Sequence, residues 1–189
     1  MGRRHGCDPM AGYETYIALL RGVNVGGKHI LPMKDLAELV AGCGCREVRT
    51  YIQSGNVIVT ASREVALQLP ATLAAKIQKR FGFTSPVILR TPDELAEVVR
   101  SNPFLKQGMP EKELHVHFLA GLPAAEAVKS LDPDRSTPDA FRVAGREVYL
   151  HMPNGMGRTK LTCTYLDSRL GVIGTARNWA TVKKLLELA

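Results

Sequence analysis

From residue 16 to residue 103, and again from residue 114 to the end, hydrophobic periodicity runs through one order of elements: strand, helix, strand, strand, helix, strand, helix. In the first pass YIALLRGV (16–23) is apolar on both faces, as a strand covered from either side must be. Met33, Leu36, Leu39 and Val40 recur at helical spacing behind Pro32, which suits a first turn, and Gly42 or Gly44 closes that helix. EVRTYIQ and NVIVTA are strands joined across Ser54-Gly55, because glycine accepts the positive φ of a tight hairpin. Leu69, Leu73, Ile77 and Phe81 mark a second helix with its effective start at Pro70, and PVILRT is the fourth strand. Thr91-Pro92-Asp93-Glu94 then opens a helix with a cap, a proline at the first position and a glutamate that reaches back.

The second pass has LHVHFLA as a strand, PAAEAVKSL as a weak helix, and AFRV and EVYLHM as a hairpin across Ala144-Gly145-Arg146. Leu161, Tyr165 and Leu170 lie on a helix ended by Gly171, VIGTA is the last strand, and Asn178 caps a terminal helix. Residue identity hardly repeats, so duplication rests on order and spacing. The expected class is α+β: two tandem ferredoxin-like (βαββαβ) units, each followed by an extra helix. The first spans 15–104 and the second 105–189, behind a loose tail over 1–14, with the join in the Pro-, Gly- and Lys-rich SNPFLKQGMPEK.

A chain of 189 residues, 45% hydrophobic and 23% charged, can bury a sizeable core. No run of about 20 apolar residues spans a membrane, and the basic start leads into no signal sequence, so the cytoplasm is the expected place. Cys7, Cys43, Cys45 and Cys163 are too few and too irregular for a disulfide framework. The net charge of +7 favours anionic partners, nucleic acid or phosphate compounds, although a basic surface also serves solubility alone.

This topology brings the loop after the first strand, RGVNVGGKHI, and the QSGN hairpin to one end of the first unit. It brings PNGMGRTK and TARNW to the opposite end of the second. An inverted packing of the two units makes all four face one cleft. RGVNVGGKHI spaces its glycines and Lys28 like a phosphate-binding P-loop, but His29 stands where Mg²⁺ needs Ser or Thr, and Pro32 delays the helix. A Walker-type NTPase is therefore not expected.

Taken in order, LLRGVNVGGK (19–28), RTYIQSGNVIV (49–59), MPNGMGRTKLT (152–162) and TARNW (175–179) resemble the bacterial family known as domain of unknown function 1697. The resemblance implies a two-unit α+β fold and brings no activity with it. Thr159 and Ala180 depart from its usual pattern, Ser and Asn respectively. The motif positions it marks are Arg21, Asn24, Gly26, Gly27, Gln53, Ser54, Asn56, Gly157, Arg158, Lys160, Thr175, Arg177, Asn178 and Trp179. With Lys28 added and Trp179 set aside, these form the expected anion-binding set, rich in donors and poor in acids. The same residue types also serve structure: Asn178 caps a helix, Ser54 and Asn56 satisfy a turn, and Trp179 buries its ring.

Two other constellations deserve weighing. His115 and His117 alternate with Leu114, Val116 and Phe118, and Tyr149 and His151 with Val148, Leu150 and Met152, so three histidines and a tyrosine are expected on the face without helices. That face suits stacking of RNA bases or, less well, a metal, but no carboxylate completes a metal shell, and neither a metal nor a cofactor is expected. No G-x-S-x-G elbow or paired carboxylates appear, and Cys163 falls in the apolar pattern of its helix. The sequence thus points to binding of a phosphate-bearing small molecule or nucleic acid in a basic cleft. An enzyme of unassigned reaction class, or an interaction module whose motifs are purely structural, are the alternatives, and whether the protein is an enzyme stays open.

Overall fold

The computed structural model describes residues 12–189. Of the expected tail, residues 1–11 lie outside the described part, whereas Tyr13 and Glu14 already belong to the first strand. The mixed α/β architecture holds two four-stranded sheets whose hydrogen-bonded neighbours are all antiparallel. Strands β1 (Tyr13–Leu20), β2 (Arg46–Tyr51), β3 (Asn56–Ser62) and β4 (Val87–Arg90) form the first, in the order β2-β3-β1-β4. Strands β5 (Leu114–Leu119), β6 (Ala140–Ala144), β7 (Glu147–His151) and β8 (Gly174–Asn178) form the second, in the corresponding order β6-β7-β5-β8.

Helices α1 (Met33–Ala41) and α2 (Arg63–Phe81) cover one face of the first sheet, where Ala18, Leu20, Val57 and Val59 meet Leu36, Leu69, Leu73 and Ile77. The start of α2 lies seven residues ahead of the expected Pro70, because the Ser62 hydroxyl caps it by accepting from the Val65 amide at 3.3 Å. Pro70 sits inside this helix, and Gly82, left-handed with φ 77°, ends it. On the second sheet α5 (Ala125–Lys129) and α6 (Cys163–Leu170) take the equivalent face, with Val148, Leu150, Leu161, Leu166 and Leu170 in one cluster.

Between the two sheets lie α3 (Pro92–Ser101) and α7 (Trp179–Leu188), packed on each other. They join Ile17, Leu19, Ile58 and Ile88 of the first sheet to Val116, Phe118 and Tyr149 of the second in a shared core. The expected join, 101–112, is ordered as α4 (Pro103–Lys106) and leads to a short 3₁₀ turn, Glu111–Glu113. Both middle helices start where the sequence says they must. Thr91 and Glu94 close a full capping box, and the Asn178 side chain accepts from the Thr181 amide at 2.8 Å.

The histidine face is a correction. β5 and β7 pair Leu114 with His151 and Val116 with Tyr149, so His115 and His117 fall on the α5/α6 side with Leu150 and Val148. Both faces of this sheet are buried, so alternation alone does not say which set faces which layer. His151 instead meets Glu113 at 3.0 Å and the Phe104 ring.

A buried arginine ties the halves together. Arg90, at the end of β4, crosses to the second sheet and donates to the Leu119 carbonyl at 2.9 Å, the Arg146 carbonyl at 3.1 Å and the Glu147 carboxylate at 2.9 Å. Its fourth bond, at 2.8 Å, goes to the carbonyl of its own neighbour Leu89.

Candidate functional site

The loop after β1, the β2–β3 hairpin, the β7–α6 loop and the β8–α7 corner line a single recess of about 510 Å³. Its walls include Arg21, Gly22, Val25, Ile52, Ser54, Met156, Cys163, Thr175, Arg177 and Asn178. Segments from both halves thus meet here. The hairpin closes tightly enough that Gly55 is required: its φ is 71°, and an added Cβ would lie 2.6 Å from Val23 and 2.7 Å from Leu20.

Arg177, at only 8% exposure, forms the floor. Nε donates to Asn56 Oδ1 at 2.5 Å, and Nη2 to the Leu20 carbonyl at 2.7 Å and, more weakly, to those of Ser54 and Gly55. Nη1 donates to Thr175 Oγ1 at 2.9 Å and to its neighbour Ala176's carbonyl at 2.8 Å. Every N–H of the guanidinium is occupied, and every acceptor is neutral. Burial lowers its pKa to about 10, so it stays charged at neutral pH. The thiol of Cys163 is pushed up by burial, against the pull of Arg21 and Arg177, and supplies no negative charge. Among the described residues no Asp or Glu lines the recess, so the charge on Arg177 is unbalanced within that lining.

Arg21 is built differently. Its Nη1 forms an ion pair with Asp167 of α6 and donates to the Gly174 carbonyl at 3.1 Å. Asp167 also accepts from the Gly174 amide at 2.9 Å and contacts His117 Nε2 at 3.1 Å. His117 is fully buried beneath Gly174, where a Cβ would strike its ring at 2.2 Å. Burial, with help from Arg21, lowers its pKa to about 4 despite the nearby carboxylate. Asp167 already serves Arg21, so we take the imidazole as neutral. Among the described residues Nε and Nη2 of Arg21 have no partner, which leaves a two-donor edge on a side chain that lines the recess.

The rim is apolar. Val25 is 64% exposed, Ile52 49% and Met156 37%. Ile52 also has φ of 47°, a left-handed backbone that costs a β-branched residue on the order of 1–2 kcal/mol. Half-exposed as it is, Ile52 recovers little of that cost by burial.

Of the residues expected to bind an anion, Arg21, Ser54, Thr175, Arg177 and Asn178 line this recess. Lys28, Gly157, Arg158 and Lys160 are exposed and stand outside its lining. Asn24 holds the loop's shape: its side chain donates to the Leu31 and Gln53 carbonyls, both at 2.8 Å, and accepts from the Leu31 amide at 2.7 Å. Gly26 and Gly27, with φ of 58° and 72°, make the turn between Val25 and Lys28. Asn56, fully buried, donates to the Tyr51 carbonyl and to Ser54 Oγ while holding Arg177. Helix α1 starts at Met33 rather than Lys28, so the loop does not place a helix start on Lys28 as a P-loop does. Sequence reasoning missed Asp167, whose partners are distant in the chain, and the apolar rim, for which Ile52 beside Ser54-Gly55 was the one available signal; it named His117 but placed it on the wrong face. Among the described residues no three of His, Cys, Asp and Glu gather as a metal site needs, and no helix is long and apolar enough to cross a membrane.

A solved structure of a conserved bacterial protein from Streptococcus pneumoniae is similar in fold, with a TM-score of 0.67 at 21% identity, covering 93% of this chain and 98% of that one. No curated protein matches the chain. The profile described as "Protein of unknown function (DUF1697)" matches residues 13–149, which takes in the first sheet and ends within β7, short of the β7–α6 loop and the β8–α7 corner. The chain belongs to that family.

Proposed function

We propose that the protein binds a phosphate-bearing small molecule in the recess between its two halves. One observation carries this reading: a buried, fully hydrogen-bonded Arg177 sits at the floor of a recess whose lining, among the described residues, holds no acid, together with Arg21, whose Nε and Nη2 have no partner among those residues. Charge and hydrogen bonding are thereby divided. Arg177 supplies a fixed positive field in a poorly solvated place, where it acts more strongly than in water. Arg21 supplies the donors, held by Asp167 and Gly174, and the Ser54 hydroxyl adds another. The volume suits a small ligand rather than a polymer. Lys28, Arg158 and Lys160, outside the lining, steer anions toward it. We further infer that each half is a ferredoxin-like unit, divided near residues 104 and 105, since both share one strand order. A reducing, cytoplasmic setting suits the free thiols of Cys43, Cys45 and Cys163.

Calorimetric titration with inorganic phosphate and ribose 5-phosphate tests the reading, with a single-stranded RNA oligonucleotide as a third probe. Saturable binding of the small phosphates is expected, lost in Arg21→Gln and weakened several-fold in Ser54→Ala, which keeps the Arg21–Asp167 pair. Absence of small-phosphate binding, or equal affinity in Arg21→Gln, overturns it. RNA binding without small-phosphate binding would instead assign the basic surface to nucleic acid.

A further inference from the structure

Resting on that site, we propose that its ligand is an amphiphilic phosphomonoester, a phosphate joined to an apolar body, in preference to a sugar phosphate. The recess has two chemically distinct parts. Its charge and donors lie with Arg21, Ser54 and Arg177, whereas its rim is Val25 and Ile52 from the first half and Met156 from the second. These three are among the few large apolar side chains left exposed among the described residues. They converge on one mouth instead of scattering, as single exposed hydrophobics ordinarily do. Ile52 is the sharpest of them, because a β-branched residue holds a left-handed backbone there while half its surface stays in water. A glycine or asparagine meets that backbone at lower cost. Strain retained where it gains no core contact is a mark of a site that uses the side chain. A sugar's hydroxyls would lose water against Val25, Ile52 and Met156 with no polar partner on those side chains, whereas an apolar group would gain by the same contact. Methionine's thioether also favours an aromatic body.

The test compares phenyl phosphate, ribose 5-phosphate and inorganic phosphate by calorimetry on the full chain. Phenyl phosphate is expected to bind at least about tenfold more tightly than ribose 5-phosphate, the scale of burying a few methylene equivalents. Ile52→Asn should raise the thermal midpoint, since asparagine tolerates the left-handed backbone, and should remove most of that preference, with the loss falling on phenyl phosphate far more than on inorganic phosphate. Met156→Ser, on an exposed loop, should lower the preference without the gain in stability. Equal affinities for phenyl and ribose phosphates overturn this inference and leave the anion site standing. Failure of all three ligands to bind sinks the site itself. A preference that survives both substitutions places the apolar body elsewhere and overturns the assignment to this rim.

Discussion

Arg90 and Arg177 are counterparts, and their surroundings differ in one respect that bears on the proposed site. Each lies just before the capping residue of a middle helix, Thr91 or Asn178, and each donates through Nη1 to the carbonyl of the residue before it. Each sends Nη2 across to the last carbonyl of the other half's first strand, Leu119 or Leu20, and to its hairpin. Each sends Nε to the first residue of the other half's third strand. There they part: Arg90 finds Glu147, and Arg177 finds Asn56. The cavity beside Arg90 also carries Glu14 and Glu94, whereas the recess over Arg177 carries no acid among the described residues. One corner is an ion-paired clasp. The other keeps the clasp's geometry with a neutral amide in place of the carboxylate.

Stability should separate the corners first. Arg90→Met strands a mostly buried carboxylate and should cost about 3–5 kcal/mol by urea denaturation. Arg177→Met strands only neutral acceptors and removes an unbalanced buried cation, so its cost should be less, about 2–3 kcal/mol. Equal losses would dissolve the contrast.

A pH-dependent effect, of at most similar size, belongs to the Arg177 end. The pKa of His117 falls from 6.5 to about 4 on folding, so the native state refuses a proton that the unfolded chain accepts. Stability is then fully present above pH 6.5 and is lost as pH falls toward 4, by on the order of 2–3 kcal/mol. Urea midpoints at pH 6.5 and 5 should diverge in the native protein and diverge clearly less in His117→Gln, where only the burial-lowered His115 still contributes. An unchanged pH slope in the variant would mean that His117 is not held neutral.

Much of this frame is legible in the sequence. Thr91-Pro92-Asp93-Glu94, Asn178, Gly171 and the two hairpins write their geometry locally, in residues that cap and turn for their own short-range reasons. Pro70 misled because Ser62 starts α2 ahead of a polar first turn, Arg63-Glu64, which hides the periodicity. The histidines misled because β5 is covered on both sides. The site itself was half legible. Arg21, Ser54 and Arg177 stood out by type, but what they do depends on the partners of each. Arg177 bonds to backbone carbonyls more than 120 positions away, and carbonyls leave no trace in a sequence. Asp167 sits among the polar positions of a short helix, with nothing nearby to show that it reaches Arg21.

The difference between Asn56 and Glu147 can be erased by one atom. Asn56→Asp gives Arg177 the carboxylate that Arg90 has, and gives up the amide donations to Tyr51 and Ser54, so stability should move by less than about 1 kcal/mol. Phosphate affinity measured on this variant isolates the charge from the shape. Binding that is saturable in the native protein and at least tenfold weaker in Asn56→Asp is the expected result. Undiminished binding in the variant would contradict the assignment of an unbalanced Arg177 charge as the source of anion attraction.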